Sequence, residues 1–263
     1  KEHWRHNQKI IGGITPCYAI DLIGFGSSSQ PTAQLKGDHK NNHGFVYGFD
    51  SWGSQVASFC LEVVQKPVLL IGNSIGGVVV VRASQILKKS CVGLVLIDCA
   101  QRAMDDKRLH EQPLIMRFIR PYLKKIVRQR WLSNTLFKNA AKPEVIKQIL
   151  SKAYPSGNNL DNDLIDLLHR PSQRRGASEA FRGFINIFDD HLAPDLLKNI
   201  DIPVDLICGE ADPWEPIEEA KKWKSKLSCI RSLEIIDQAG HCPHDEAPEQ
   251  VNKLLLKIIQ EAT

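Results

Sequence analysis

Three residues in this chain of 263 have the types and the order of a nucleophile, an acid and a base. Ser74 lies in GNSIG (72–76), a G-x-S-x-G match between an apolar run and a helical pattern. In that context the motif predicts a sharp turn that exposes the serine hydroxyl above a sheet, where the Ile75 N–H can stabilise an oxyanion. A serine hydroxyl needs a base, and the base needs an orienting acid. Asp212 in GEADPW and His241 in QAGHCPHDEAPE follow in that order. The sequence therefore predicts Ser74 as nucleophile, Asp212 as acid and His241 as base.

Other side chains near these motifs compete for the same roles. Asp98 ends an earlier apolar run, LVLID, and is the alternative to Asp212 as the acid. His244 is a second imidazole three residues after His241, and we expect it to be a loop residue or to support the site. Glu210 precedes Asp212 by two residues and is either a helper of that acid or a solvated carboxylate.

Phosphate binding is the other explanation for glycines at the end of a buried strand. A P-loop needs a lysine after its last glycine, and none follows Gly77 at the required place. A dinucleotide loop needs three glycines, and GFGSSS (24–29) lacks the third. We therefore expect Gly72 and Gly76 to allow a strand and a helix to approach each other closely.

The elements that must position these residues follow an α/β pattern. Short β-branched runs alternate with segments of helix length, which is typical of a parallel sheet with crossover helices. A polar loop is expected at 31–44, and helices at 50–65, 75–88 and 248–259. The predicted strands are CYAIDL (17–22), PVLLIG (67–72), VGLVLID (92–98), VDLICG (204–209) and SLEIID (232–237). Each predicted catalytic residue comes just after one of these strands, so all three should meet at one edge of the sheet.

A long helical stretch separates the third and fourth of these strands. Between Ala100 and Ile202 proline-punctuated helical segments replace the strand pattern, which predicts an inserted lid above the site. The predicted organisation is thus a core in two parts, 1–100 and 201–263, with a helical cap at 101–200.

One segment of this cap, RPYLKKIVRQRW (120–131), is amphipathic. Pro121 is expected at the first position of a helix, where a missing N–H costs nothing. One face would hold Tyr122, Leu123, Ile126 and Val127, and the rest Lys124, Lys125, Arg128 and Arg130. The helix either has a solvated basic side or makes a peripheral contact with an anionic membrane that delivers a lipid-like ester.

The composition excludes several classes of protein. Hydrophobic residues make up 43% and charged residues 24%, as in an ordinary globular chain. A net charge of +4 is too weak and dispersed to indicate nucleic-acid binding. Seven cysteines without a CxxC pair predict free, buried thiols in a reducing compartment. The alternative, a zinc site in HCPHD (241–245), matches no common zinc spacing, so no metal or organic cofactor is expected.

Four segments carry a resemblance to a known family: YAIDLIGFGSSSQP, GNSIGG, GEADPWEP and AGHCPHDEAPE. They closely resemble the α/β-hydrolases of plants and cyanobacteria, a set that includes pheophytinase and chlorophyll dephytylase, esterases that remove phytol from chlorophyll pigments. The resemblance covers nearly the whole chain and implies the same roles for Ser74, Asp212 and His241. It also implies a hydrophobic ester as substrate, an acyl-enzyme intermediate, and a location in the plastid stroma or the cyanobacterial cytoplasm.

The start of the chain departs from this family. There a His-Gly loop supplies a second oxyanion donor and precedes a segment like HWRHN, which is found here at 3–7. The loop and its strand, which normally lies between those expected at 17–22 and 67–72, would fall before Lys1. We therefore expect a fragment of a longer protein that lacks one oxyanion donor. Two alternatives to an esterase remain: a binding or receptor protein with a vestigial triad, and a haloperoxidase or carbon–carbon bond hydrolase that uses the same triad.

Overall fold

The centre of the molecule is a parallel sheet of four strands. The computed structural model describes residues 1–38 and 43–262, so part of the predicted polar loop, residues 39–42, lies outside the described residues. The strands are β1 Val68–Asn73, β2 Cys91–Ile97, β3 Val204–Gly209 and β4 Ile230–Ile236. They lie side by side in this order and every neighbouring pair is parallel. Their carboxyl ends therefore share one edge, and the predicted α/β architecture is confirmed.

Helices cover both faces of the sheet and fill the connections. A π-helix, Cys60–Val64, continues the second α-helix to the end of the region predicted as helical. Within the described residues the α-helices are α1 Gln8–Gly12, α2 Phe49–Phe59, α3 Ile75–Leu87, α4 Leu114–Val127, α5 Arg130–Ala140, α6 Pro143–Ala153, α7 Asn162–His169, α8 Ala177–Ile185, α9 Ala193–Leu197, α10 Ile217–Lys226, α11 Pro243–Glu246 and α12 Pro248–Ala262.

Strand β2 shows how the sheet divides the core. Successive side chains of a strand point to opposite faces. Leu94 and Leu96 therefore pack with the side of the sheet that α2, α3 and α10 cover, where Trp52 is fully buried. Val95 and Ile97 pack on the other side, with apolar residues of α1 and α12. Because both faces are covered, β1 and β2 read as almost wholly apolar runs, whereas β4 includes Arg231, Ser232 and Glu234.

The strand predicted at 17–22 is wrong, because these residues form no ladder. A strand needs a neighbour that pairs with its backbone, and none of the residues in 1–38 and 43–262 provides one here. Side chains of α2 take that place. The Gln55 amide donates to Asp21 O at 3.1 Å and accepts from Ile23 N–H at 2.9 Å, and the Trp52 indole donates to Ile23 O at 2.8 Å. The segment is thus tied to a helix instead of a sheet.

The stretch predicted as a cap is helical. Between the end of β2 and the start of β3 lie α4 to α9, and no strand. Its contacts with the N-terminal part are polar as well as apolar: Arg182 of α8 donates to Ala33 O and to Asp38, both at 3.2 Å. The division into a core and a separate cap domain stays a prediction, and we call residues 101–200 the cap segment.

The predicted start of a helix at Pro121 is wrong, because Pro121 lies inside α4. Arg120 and Lys124, on either side of it, both bond to Asp106, and this tertiary pairing favours one continuous helix. Pro121 is exposed, so water can replace the hydrogen bond that its missing N–H would have given. Over the described ranges, none of the helices has the length and hydropathy needed to cross a bilayer.

Candidate active site

Ser74 joins β1 to α3 in a strained conformation. Its φ is 54° and its ψ −122°, a region that costs a non-glycine residue about 1 kcal/mol or more. Three backbone hydrogen bonds hold the turn: Ser74 N–H donates to Ile97 O at 2.9 Å, and Ser74 O accepts from Gly77 and Ala100, each at 3.0 Å. Ile75 is the first residue of α3, so its N–H has no acceptor within the helix and is available to an oxyanion.

Of the two glycines expected to allow the close approach of strand and helix, only Gly72 has that role. A Cβ on Gly72 would lie 2.2 Å from Gly76 O, so this position does require glycine for the close approach of β1 and α3. The same role predicted for Gly76 is wrong, since a Cβ there would meet none of the described atoms within 4 Å. The second tight contact belongs to Gly77, whose Cβ would lie 2.6 Å from Cys99 Sγ.

Asp212 and His241 form a buried pair beyond β3 and β4. His241 Nδ1 lies 2.7 Å from Asp212 Oδ2, and the Asp212 side chain has no exposed surface. The other carboxylate oxygen accepts the N–H groups of Trp214 at 2.8 Å and Glu215 at 3.2 Å. The Trp214 ring meets the imidazole edge-on, with centroids 4.8 Å apart. The carboxylate is therefore fixed, and it holds the imidazole with Nδ1 towards it and Nε2 free.

Asn73 connects this pair to Ser74. No direct hydrogen bond joins the Ser74 hydroxyl to His241 in the part of the chain that the structure describes. Instead the Asn73 amide donates to His241 O at 2.9 Å and to Ile97 O at 3.2 Å. Catalytic hydrogen bonds are often long before substrate binds, so this geometry is compatible with a serine and its base. The sequence analysis did not single out Asn73. Its position directly before the serine of the G-x-S-x-G match could have indicated a role in the site.

Asp98, the alternative acid, bonds to Asp212 and not to His241. Both of its oxygens accept the Gly209 N–H, at 3.0 and 3.1 Å. Burial and the adjacent Asp212 charge raise the pKa of Asp98 well above its ordinary value, and the two carboxyl groups share a hydrogen bond. A carboxyl group with a raised pKa keeps its proton to higher pH, which suits Asp98 as the donor in this hydrogen bond. The geometry places Asp212 as the partner of His241, and the assignment of catalytic roles stays a prediction.

Glu215 is a third carboxyl group beside this pair. One of its oxygens accepts the Gln101 N–H at 2.8 Å. Burial, and to a smaller extent the Asp212 charge, raise the pKa of Glu215 to about 7, although Gln101, His241 and Arg108 oppose the rise. Glu215 therefore titrates in the neutral range, unlike an ordinary surface glutamate.

We expect this titration to make the stability of the protein depend on pH. The folded chain holds the Glu215 proton up to about pH 7, and the unfolded chain loses it near its ordinary value of 4.5. Between these two pH values the folded state therefore binds more protons than the unfolded state. The free energy of unfolding falls as pH rises through this window. From pH 5 to pH 8 the free energy of unfolding of Glu215→Gln should rise by up to about 3 kcal/mol relative to that of wild type, as measured by chemical denaturation. Equal pH profiles for the two proteins would contradict this.

A clamp fixes the loop that carries His241. Glu246 accepts the Gly240 N–H at 2.6 Å through one oxygen, and the Ser156 N–H at 2.9 Å and hydroxyl at 2.5 Å through the other. The His241 N–H donates to Ala153 O at 2.9 Å. The loop is thereby tied to the end of α6 in the cap segment. Sequence reasoning missed Glu246, which lies in the same motif as His241.

The other candidates of the sequence lie away from the pair. His244 is not a loop residue but part of α11, fully buried against the rings of His3 and Trp4, with centroids 4.9 and 4.4 Å away. Burial holds its pKa well below the ordinary value, so it is neutral. Glu210 is exposed and accepts the Gln238 N–H at 3.3 Å, which agrees with a solvated carboxylate.

The cysteines and the HCPHD segment show no metal chemistry. All seven cysteines are free, and burial raises the pKa of the Cys99, Cys208 and Cys242 thiols, which keeps them protonated and unreactive. Asp245 accepts from Arg5 and from the Tyr154 hydroxyl, each at 2.9 Å. Across 1–38 and 43–262 no three potential ligands cluster as a metal would need.

Comparison with known proteins identifies the family. The model of a family described as "Alpha/beta hydrolase family" matches residues 1–254. The chain belongs to the alpha/beta hydrolase family. This confirms the resemblance drawn from the four sequence segments, and hydrolysis is the activity that the family supports.

The curated relatives of this alpha/beta hydrolase are distant in sequence. An uncharacterized hydrolase of Bacillus subtilis (strain 168), YugF, is 27% identical over 244 residues, which is 92% of this chain and 79% of that protein. Chloroplastic pheophytinase of Arabidopsis thaliana is 27% identical over 238 residues, 88% of this chain and 47% of that protein. The Arabidopsis thaliana protein VTE7 is 25% identical over 254 residues, 96% of this chain and 68% of that protein. The chain thus spans about half the length of the pheophytinase.

Solved structures share the fold. A serine hydrolase involved in carbazole degradation, CarC, superimposes with a TM-score of 0.74 at 18% identity, over 98% of this chain and 85% of that chain. A thermophilic esterase from Thermogutta terrifontis gives 0.70 at 20% identity, over 99% and 85%. At these identities the likeness supports the α/β-hydrolase fold alone.

Proposed function

We propose that this alpha/beta hydrolase is a serine esterase that cleaves a hydrophobic carboxylic ester through an acyl-enzyme. The observation that carries the proposal is the buried hydrogen bond of 2.7 Å between Asp212 and His241, at the sheet edge where Ser74 adopts a positive φ. A structural histidine would not need an acid that two backbone N–H groups hold in place. A serine in an ordinary turn would not need a strained backbone at the start of a helix.

The proposed reaction moves two protons through His241: the proton of Ser74, which leaves with the alcohol, and a proton of water, which returns to Ser74. His241 Nε2 takes the proton of Ser74 Oγ while that oxygen attacks the ester carbonyl carbon. The carbonyl oxygen becomes an anion and accepts the Ile75 N–H. The C–O bond of the alcohol then breaks, His241 donates the proton to the alcohol, and the acyl group remains on Ser74. Water repeats the attack on the acyl carbon with His241 as base, and the carboxylic acid leaves as Ser74 regains a proton.

A cavity in the cap segment supports a hydrophobic substrate. It has a volume of about 440 Å³ and lies between residues 21–30, α5, α7 and α8. Aromatic and aliphatic side chains form much of its wall: Phe25, Phe137, Leu167, Leu168, Phe181 and Phe184. Ser74 and His241 do not line it, but His3 does, and the His3 ring is close enough to His241 to be affected by its charge. We assign this cavity to the apolar chain of the ester.

The pheophytinase relative points to the finer identity of the substrate. We propose a phytyl-type ester of a chlorophyll derivative, because the relative is a pheophytinase and much of the cavity wall is apolar. The same relative is described as chloroplastic, which favours the plastid as the location.

Labelling with a fluorophosphonate tests the nucleophile. We expect the probe to label wild type and Ser151→Ala, an exposed serine of α6, and not to label Ser74→Ala. Labelling that persists in Ser74→Ala would exclude Ser74 as the nucleophile. A folded wild-type protein that is not labelled would favour a binding protein with a vestigial triad. Turnover of p-nitrophenyl esters of increasing chain length would then test the apolar cavity, with a preference for long chains expected.

A further inference from the structure

Helix α4 turns its charged side to the protein and its apolar side to the solvent. Arg120 is only 6% exposed, donates to Asp106 at 2.8 Å and also bonds to Met104 O. Lys124 pairs with the same Asp106. Both cations also lie over the Phe188 ring, at 5.6 and 5.2 Å from its centroid. Arg120 and Lys124 therefore anchor the helix to its own cap segment, whereas Lys125 and Arg130, which the sequence placed on the basic side, are exposed.

The opposite side of α4 is an exposed apolar surface. Its side chains are between 41% and 75% exposed, and Phe118 is the most exposed of them. At about 100° per residue they cover roughly half of the helix circumference without an interruption by an acidic residue. The members of this surface, which we call the apolar side of α4, are Leu114, Ile115, Phe118, Ile119, Tyr122, Leu123 and Ile126. Trp131, at the start of α5, follows Ile126 by five residues and is 68% exposed.

The segment that contains this surface is rich in basic residues, four of which pair with carboxylates of other segments: Arg120 and Lys124 with Asp106, Arg128 with Asp38, and Arg130 with Glu179. Residues 112–142 hold eight of the 34 basic residues of the chain and none of its 30 acidic ones. The segment therefore carries a net charge of +8, and the rest of the chain −4. Lys125 and Arg117 are exposed on α4 itself, and on a helical projection Lys125 falls between Leu114 and Phe118. Positively charged side chains therefore lie at the edge of the apolar side of α4 (Arg117) and within it (Lys125).

We propose that α4 lies flat on an anionic lipid surface, with its apolar side among the acyl chains and Lys125 and Arg117 among the head groups. A helix with an apolar side that carries aromatic residues and with flanking Lys and Arg is typical of interfacial binding. Charge disfavours a second copy of this chain, because two such surfaces would bring together the exposed Arg117 and Lys125 of each copy, and α4 has no acidic residue to pair with them. The partner that binds this surface must have an apolar interior and a negatively charged surface, and an anionic bilayer has both.

Membrane contact would place the cap segment where a hydrophobic ester is dissolved. Helix α4 packs against α5, and Phe137 of α5 lines the apolar cavity. An ester could then pass from the bilayer to the cavity without crossing water. Binding itself depends on surface chemistry and not on Ser74, so it can be tested apart from the proposed catalysis.

Co-sedimentation with vesicles tests this proposal. We expect wild type to bind phosphatidylcholine vesicles that contain phosphatidylglycerol at least about tenfold more tightly than pure phosphatidylcholine vesicles. The double variant Phe118→Ser/Tyr122→Ser should weaken binding to the anionic vesicles by at least about tenfold. Lys125→Glu/Arg117→Glu should remove the preference for anionic lipid. The matched control is Leu61→Ser/Val63→Ser, since these side chains are 52% and 60% exposed on a different surface, and it should bind like wild type.

Further readouts separate this proposal from the others. Ser74→Ala should bind the vesicles as wild type does, so a failure of the esterase proposal would leave this result unchanged. Equal binding by wild type and Phe118→Ser/Tyr122→Ser would overturn the proposal, as would absence of binding to phosphatidylglycerol. A wild-type dimer in sedimentation velocity that the same double variant converts to a monomer would assign the surface to a second copy instead.

Discussion

Asp212→Asn is expected to lower kcat for ester hydrolysis by about 10⁴-fold, whereas Asp98→Asn should lower it by less than about tenfold. The amide of an asparagine at 212 would present N–H groups to His241 Nδ1 and favour the tautomer that leaves Nε2 protonated, so the base would be lost. At 98 burial and the Asp212 charge raise the pKa of the native carboxyl group, which favours its neutral form. An amide at 98 still has a donor for Asp212 and an acceptor for the Gly209 N–H. Steady-state kinetics on a p-nitrophenyl ester measure both effects.

The two variants control for each other. Each exchanges a carboxyl group for an amide of nearly the same size at neighbouring buried positions, so a general loss of packing should affect both. Thermal unfolding checks that both proteins remain folded. A larger loss of kcat in Asp98→Asn than in Asp212→Asn would reverse the assignment of the acid, the alternative that the sequence left open. Similar small losses in both would argue against a catalytic role for the pair.

The strands could be predicted because burial on both faces leaves a clear signal. Strands β1 to β3 are largely apolar runs, whereas β4, IRSLEII, mixes apolar and polar residues, and the predicted bounds of all four differ from the observed ones by at most two residues. The segment at 17–22 has the same composition, but the bonds of Asp21 and Ile23 to side chains of α2 replace a ladder. A local pattern indicates a capacity for pairing and cannot supply the neighbour.

The site, too, could be predicted from the sequence only in part. The order Ser74, Asp212, His241 follows from motifs, and the structure brings the last two into contact. The links that hold the site together depend on tertiary contacts between distant segments, as with Asn73 and the His241 carbonyl, or Glu246 and Ser156. Helix α4 could be recognised as amphipathic from the sequence, but which side faces solvent depends on Asp106, a partner outside the helix.

Gly72→Ala is expected to be the most disruptive single-methyl change near the site. The added Cβ would lie 2.2 Å from Gly76 O, 2.4 Å from Gly76 C and 2.7 Å from Gly77 N, all of them backbone atoms that no side-chain rotation can move away. Helix α3 would have to shift from β1, which we expect to lower the free energy of unfolding by about 3 kcal/mol. The same shift would displace the Ile75 N–H from the oxyanion, and kcat should fall by about 100-fold. Urea denaturation and steady-state kinetics measure the two effects.

Gly76→Ala is the matched control, with the same methyl group four residues later. Its Cβ would meet none of the described atoms within 4 Å, and alanine favours a helix over glycine, so we expect a change in the free energy of unfolding of less than about 1 kcal/mol. Motif reasoning treats the two glycines of G-x-S-x-G alike, whereas the structure assigns the steric requirement to Gly72. Equal destabilisation by the two variants would contradict that assignment. It would mean that the motif needs its second glycine for backbone freedom in the turn and not for the contact between β1 and α3.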